Sequence, residues 1–163
     1  MIATLLMLCS LSFAETKTLA LQICLDRKGF SCNTIDGQWG TKSRRALECY
    51  CRDRNLPIPS SPEAAYETLF ADSGDLFCIS EVTAADLSAI VRMPTTPAEK
   101  AKLPKMGYGS IKEMFAERGH LSQRALERMN PGVDWANVQA GLKLVIPRFP
   151  SMQEELSVWP KGR

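Results

Sequence analysis

The side chains able to do chemistry in this 163-residue chain are few and badly placed for acid–base or metal work. There is one histidine, His120, and no cysteine stands near it in sequence. The cysteines Cys9, Cys24, Cys32, Cys49, Cys51 and Cys78 form no Cys-x-x-Cys pair, so zinc spacing is absent. Paired carboxylates of the glycosidase kind could be drawn from Asp72 and Asp75 or from Glu154 and Glu155. Both pairs lie in polar stretches and read as solvated surface. What stands out is a turn, Ile35, Asp36 and Gly37, followed by Trp39 and Gly40. Asp36 is placed to orient a hydroxyl or amide of a ligand, or to accept from its own turn, as aspartate before glycine commonly does. Trp39 is able to stack on a sugar face or to anchor the loop on its helices. Holding a ligand fits this inventory better than transforming one.

Two helices must position that turn. Residues 18–28 place Leu21, Cys24 and Leu25 one turn apart, with Gly29 as a left-handed terminator and Phe30 packing back. Residues 41–55 put Ala46, Leu47 and Tyr50 on one side and Arg44, Arg45 and Glu48 outward, with Thr41 as the expected cap. Prolines and serines over 57–62 mark a boundary. A short helix over 63–70 and a strand over 76–82 follow. Thr95, Thr96 and Pro97 make a second break. Ser110 and Glu113 form a capping box that opens a helix with Ile111, Met114 and Phe115 inward. A further helix starts at Ser122, turns Leu126 and Met129 inward, and stops at Asn130, Pro131 and Gly132. Leu142, Leu144 and Ile146 then alternate as a strand closed by Pro147.

Composition bounds the reading. With 45% hydrophobic residues the chain is globular, and a net charge of +2 gives no case for nucleic acid. Residues 1–14 carry no charge and are too few to span a bilayer, which takes roughly 20 residues. They suit a signal peptide cleaved after the small-x-small triplet Ser12, Phe13, Ala14. In an exported small domain the five remaining cysteines favour disulfides, in which Cys49 and Cys51 do not bridge to each other because they point apart on a helix.

Over residues 19–56, Leu21, Gln22, Leu25, Gly29, Phe30, Ile35, Asp36, Gly37, Trp39, Gly40, Ser43, Ala46, Leu47 and Tyr50 follow the spacing of a known module. The segment resembles the three-helix peptidoglycan-binding domain found beside many cell-wall hydrolases, with Cys51 where that family commonly has glutamine. The resemblance implies a wall-binding loop at Asp36, Gly37, Trp39 and Gly40.

Residues 108–147 are similar to a LysM domain, a small βααβ fold that binds N-acetylglucosamine-containing glycans. The similarity rests on Ser110, Ile111, Phe115, Ala116, Leu126, Asn130, Pro131, Gly141, Leu144, Ile146 and Pro147. The family's first strand falls on residues 102–106, a poor strand sequence; residues 76–82 are the alternative source. This resemblance implies a glycan groove between Gly109, Ser110, Ile111 and Asn130, Pro131, Gly132, Val133.

The tandem order also resembles the front part of some exported L,D-transpeptidases, whose Ser-His-Gly-Cys-type motif is missing here. The expectation is therefore a mainly α protein with small β elements, in two modules. A signal peptide over 1–14 precedes a peptidoglycan-binding unit over 15–57. A linker over 58–98, a LysM-like unit over 99–149 and a mobile tail over 150–163 follow. It is expected to be non-catalytic, without cofactor or metal, exported to periplasm or cell wall, and bound to peptidoglycan. The alternatives are the targeting part of an L,D-transpeptidase and a disulfide-rich protein that binds a wall enzyme.

Overall fold

The computed structural model describes residues 12–91, 94, 96–101 and 107–149. The expected signal core, the 102–106 strand, the tail and Glu154 and Glu155 lie outside them. Among the described residues the fold is mainly helical, with one two-stranded antiparallel sheet. The elements are α1 (Phe13–Arg27), α2 (Thr41–Asp53), α3 (Pro62–Leu69), β1 (Phe77–Glu81), α4 (Ala84–Ser88), α5 (Pro97–Lys100), α6 (Ile111–Arg118), α7 (Gln123–Met129) and β2 (Lys143–Pro147).

The first helix starts earlier than its apolar pattern suggests. Ser12 and Glu15 form a reciprocal capping box, Glu15 N donating to Ser12 Oγ at 3.2 Å and Ser12 N to Glu15 Oε2 at 3.0 Å. The helix thus runs through Ala14 and Glu15, the expected cleavage point. It is also not the one-faced helix its pattern suggests. Every residue from Thr18 to Leu25 is buried, because α2 packs on one side, α3 on another, and the chain after α1 returns across it. A helix apolar all round belongs at the centre.

Gly29 ends α1 at φ +82°, where Phe30 N donates back to Leu25 O at 2.9 Å. Phe30 then meets Tyr50 of α2 edge to face, ring centroids 5.4 Å apart, and Tyr50 lies 5.0 Å from Phe70 beyond α3. The cap of α2 is Gly40, not Thr41, and no side chain accepts from its first amides. Thr41 comes one residue too late, already inside the helix.

Within the segment 58–98, expected as a linker with a short helix and a strand, residues 62–81 pack on the rest of the fold. They supply α3, which packs along α1, and β1, which pairs with β2 from Phe77↔Pro147 to Glu81↔Lys143. That register sets the opposite charges of Glu81 and Lys143 face to face. The strand pairing β2 thus comes from residues 77–81. β2 itself does not alternate: Leu144, Val145, Ile146 and Pro147 are all buried, and Leu142 precedes the strand half-buried. A strand covered on both faces loses the period-two signature, and β2 packs on α6 and α7 as well as into the common core.

Contacts cross both expected module boundaries. Ile35 N donates to His120 O and Ser122 N to Ile35 O, both at 3.0 Å, as a parallel bridge between Ile35 and Leu121. Asp26 on α1 holds His120 Nδ1 at 2.6 Å. Arg27 at the end of α1 donates from Nε to Arg148 O at 2.8 Å and from Nη2 to Asp75 O at 2.9 Å, spanning the open end of the sheet. On the other flank Asp86 in α4 accepts from Arg118 at the end of α6.

The disulfide staple expected from the cysteine count is not formed: Cys24, Cys32, Cys49, Cys51 and Cys78 are all free. Cys24, Cys32 and Cys51 are buried as small apolar groups, which is a common use of the residue. Cys49 and Cys51 do face opposite ways, one exposed and the other in the core.

Candidate binding surface

Gln22 builds the loop that the site residues occupy. It is 1% exposed, and its amide is fully used. Its Oε1 accepts from Asp36 N at 3.0 Å and Gly37 N at 2.8 Å. Its Nε2 donates to Asp36 Oδ1 at 3.0 Å, Gln38 O at 3.1 Å and Ser43 Oγ at 2.9 Å. One buried amide thereby replaces the absent ladder of a loop and ties it to the start of α2. Arg128 reaches across from α7 and donates to Asp36 O at 2.6 Å.

The sequence-predicted loop residues divide accordingly. Asp36 is half-buried, and its Oδ1 accepts from Gln38 N at 2.9 Å as well as from Gln22, so it caps its own turn. Gly37 is buried at φ +72°, with a virtual Cβ 3.5 Å from Glu15 O. Trp39 is half-buried against the core and acts as an anchor. Gly40 alone of the four is exposed, at the head of α2. The turn thus faces inward, and the surface it offers lies beside it.

The second pair of loops is likewise partly consumed. Gly109 N donates to Glu113 Oε2 at 2.7 Å, one residue earlier than a regular capping box would have it. Ser110 Oγ accepts from Glu113 N at 3.1 Å, and Ile111 is in the core. Asn130, 3% exposed, works as a strand partner for β2: its Oδ1 accepts from Val145 N at 2.7 Å and its Nδ2 donates to Val145 O at 2.9 Å. Val133 packs against the core, leaving Gly109, Pro131 and Gly132 exposed. Trp135 is half-buried against the same core.

Three adjoining hollows share the loop of residues 31–34. One is lined by Phe30, Cys32, Lys42, Arg45, Ala46 and Cys49 among others. The next runs along Asn33, Thr34, Gln38, Gly40, Thr41 and Lys42. The third lies between Asp26, Thr34, Glu117 and His120. Asn33, at φ +76°, turns the loop outward between them. Cys32 forms part of the floor, and burial pushes its thiol up to about 11 despite a hydrogen bond with Ser43. At neutral pH it is a neutral thiol, a poor nucleophile. His120 is exposed at φ +51°, its ring stacked on Phe149 with centroids 4.1 Å apart and Nδ1 held by Asp26. Asp72 and Asp75 are exposed, as a solvated reading requires.

The shelf formed by Asn33, Thr34, Gln38 and Thr41 offers amide and hydroxyl groups, and Lys42 and Arg45 add positive charge. Such groups can hydrogen-bond a polar polymer and attract anions. Asn33, Thr34, Gln38 and Lys42 escaped the sequence reading, and Arg45 was read only as an outward residue of its helix, because surface polar residues carry no pattern. Gln22 did leave a signal, a single amide inside the apolar run Leu19 to Leu25. Among the described residues no cluster of three or more His, Cys, Asp or Glu could hold a metal ion. No helix among them is long and apolar enough to cross a membrane. Compared with protein-family models and with curated proteins, the chain matches none.

Proposed function

We propose that this chain binds cell-wall peptidoglycan noncovalently, through a three-helix unit of α1, α2 and α3 and a LysM-like unit of α6, α7 and β2. The observation that carries this reading is the shelf along residues 31–34 and the head of α2. It is open and rich in donors and acceptors, and it is held by the buried Gln22 amide. A preformed polar shelf suits a repeating, hydroxyl- and amide-rich polymer, since little ordering remains to be done on binding. The exposed Gly109, Pro131 and Gly132 mark the second contact. Two weak contacts on one body raise avidity through effective concentration. Export to periplasm or cell wall belongs to the same proposal.

Co-sedimentation of the full chain with insoluble cell walls tests it. The chain is expected in the pellet, and Asn33→Ala with Gln38→Ala should shift it toward the supernatant while leaving the circular dichroism unchanged. A chain that stays in solution beside whole walls sinks the reading.

A further inference from the structure

Lys42 and Arg45 stand three residues apart on α2, which places both side chains on one face. Both are exposed and line the hollow that Phe30, Cys32, Ala46 and Cys49 complete. Neither side chain makes an ion pair or hydrogen bond with another described residue. Elsewhere Lys17, Lys112 and Arg118 each meet a carboxylate. The first turn of α2 holds no acidic residue, and Asp36 and Asp26 are engaged, the one with Gln22 and Gln38, the other with His120; Glu48, one turn beyond Arg45 on α2, makes no ion pair with either cation. The hollow therefore joins two unmatched positive charges to an apolar wall of Phe30 and Ala46.

We propose that this hollow receives a free carboxylate of a short wall peptide, with Lys42 and Arg45 as its counter-charges and Phe30 and Ala46 against a small apolar side chain. The inference rests on the wall-binding reading and adds that the peptide, not the sugar, fills this part of the surface. An uncharged N-acetyl sugar makes no use of paired cations, whereas a peptide terminus offers a planar anion that a guanidinium can grip with two hydrogen bonds. Because both cations are exposed, added salt should weaken this contact.

The test uses the full chain with whole walls, with walls enzymatically stripped of their peptides, and with a soluble stem peptide as free acid or as C-terminal amide. Calorimetry should show the amide binding about tenfold more weakly than the acid, the loss expected for one charge-assisted contact. The variant Lys42→Gln with Arg45→Gln should lose at least the same factor toward the acid and nothing toward the amide. A neutral bulky maleimide on Cys49, at the rim, should block the peptide in the parent chain and leave Cys49→Ser unaffected. Equal affinity for acid and amide overturns the proposal, as does undiminished binding of the acid by the double variant. Equal sedimentation with stripped and whole walls sinks this hollow but keeps the wall reading. Failure to sediment, together with Lys42- and Arg45-dependent binding of the acid, sinks the wall reading and keeps the hollow.

Discussion

Gln22 serves five polar groups with one side chain, so its removal should be felt far beyond its size. Gln22→Ala leaves the amides of Asp36 and Gly37 without their acceptor inside the protein, at a cost of about 3 kcal/mol for buried unmatched groups. Urea denaturation would read this as a lower midpoint at unchanged slope. Gly37→Ala is a milder lesion: the space around a methyl is ordinary, but the φ of +72° is not. A loss of about 1 kcal/mol is expected from the left-handed backbone alone. At this scale the sequence was legible where a residue acts on its neighbours. Asp36 capping its turn and Gly29 ending its helix follow from local stereochemistry. The inward direction of the Asp36 turn was hidden, because its partners, Gln22 and Arg128, stand 14 and 92 positions away.

Among the elements, α2 was legible because one face meets the core and the other meets water. Ala46, Leu47 and Tyr50 are buried while Arg44 and Arg45 are not. β2 and α1 were harder because enclosure erases periodicity. The pairing of β2 with residues 77–81 was open only as an alternative, since strand order is a property of distant segments. Asn130 shows how closely β2 depends on α7. Asn130→Ala strips Val145 of both its hydrogen bonds to this side chain and should cost about 2 kcal/mol, checked by thermal unfolding. The tether between α4 and α6 sets an acid limit. The Arg118 guanidinium, followed by the Thr83 amide, holds the Asp86 carboxyl down at about 2. An unfolded aspartate titrates near 3.9, so on acidification the unfolded chain binds this proton first. The tether's contribution is full above about pH 4 and disappears as pH falls toward 2. Asp86→Asn should lower stability at pH 7 and flatten the fall between those values, as followed by denaturant titration across pH.

For the molecule as a whole, one cluster of buried residues runs from Leu19 to Ile146, and the sheet joins residue 77 to residue 147. Unfolding is expected as one cooperative transition, with tryptophan fluorescence and far-ultraviolet circular dichroism coinciding. Separate transitions for the two halves would show that the bridges at Ile35 and His120 carry little energy. The mainly helical class was readable from composition and pattern. The way the segments interlock was not, because the bridges at Ile35, Asp26 and Arg27 are made by single residues with partners far along the chain.

Arg27 fastens the sheet's open end to main-chain oxygens, those of Asp75 and Arg148, and not to an acid. Carbonyl groups neither take up protons in mild acid nor surrender their partner to competing ions as exposed carboxylates do. In conditions that silence Asp86, this clasp keeps its grip, and the two strand ends should be among the last parts of the fold to fray.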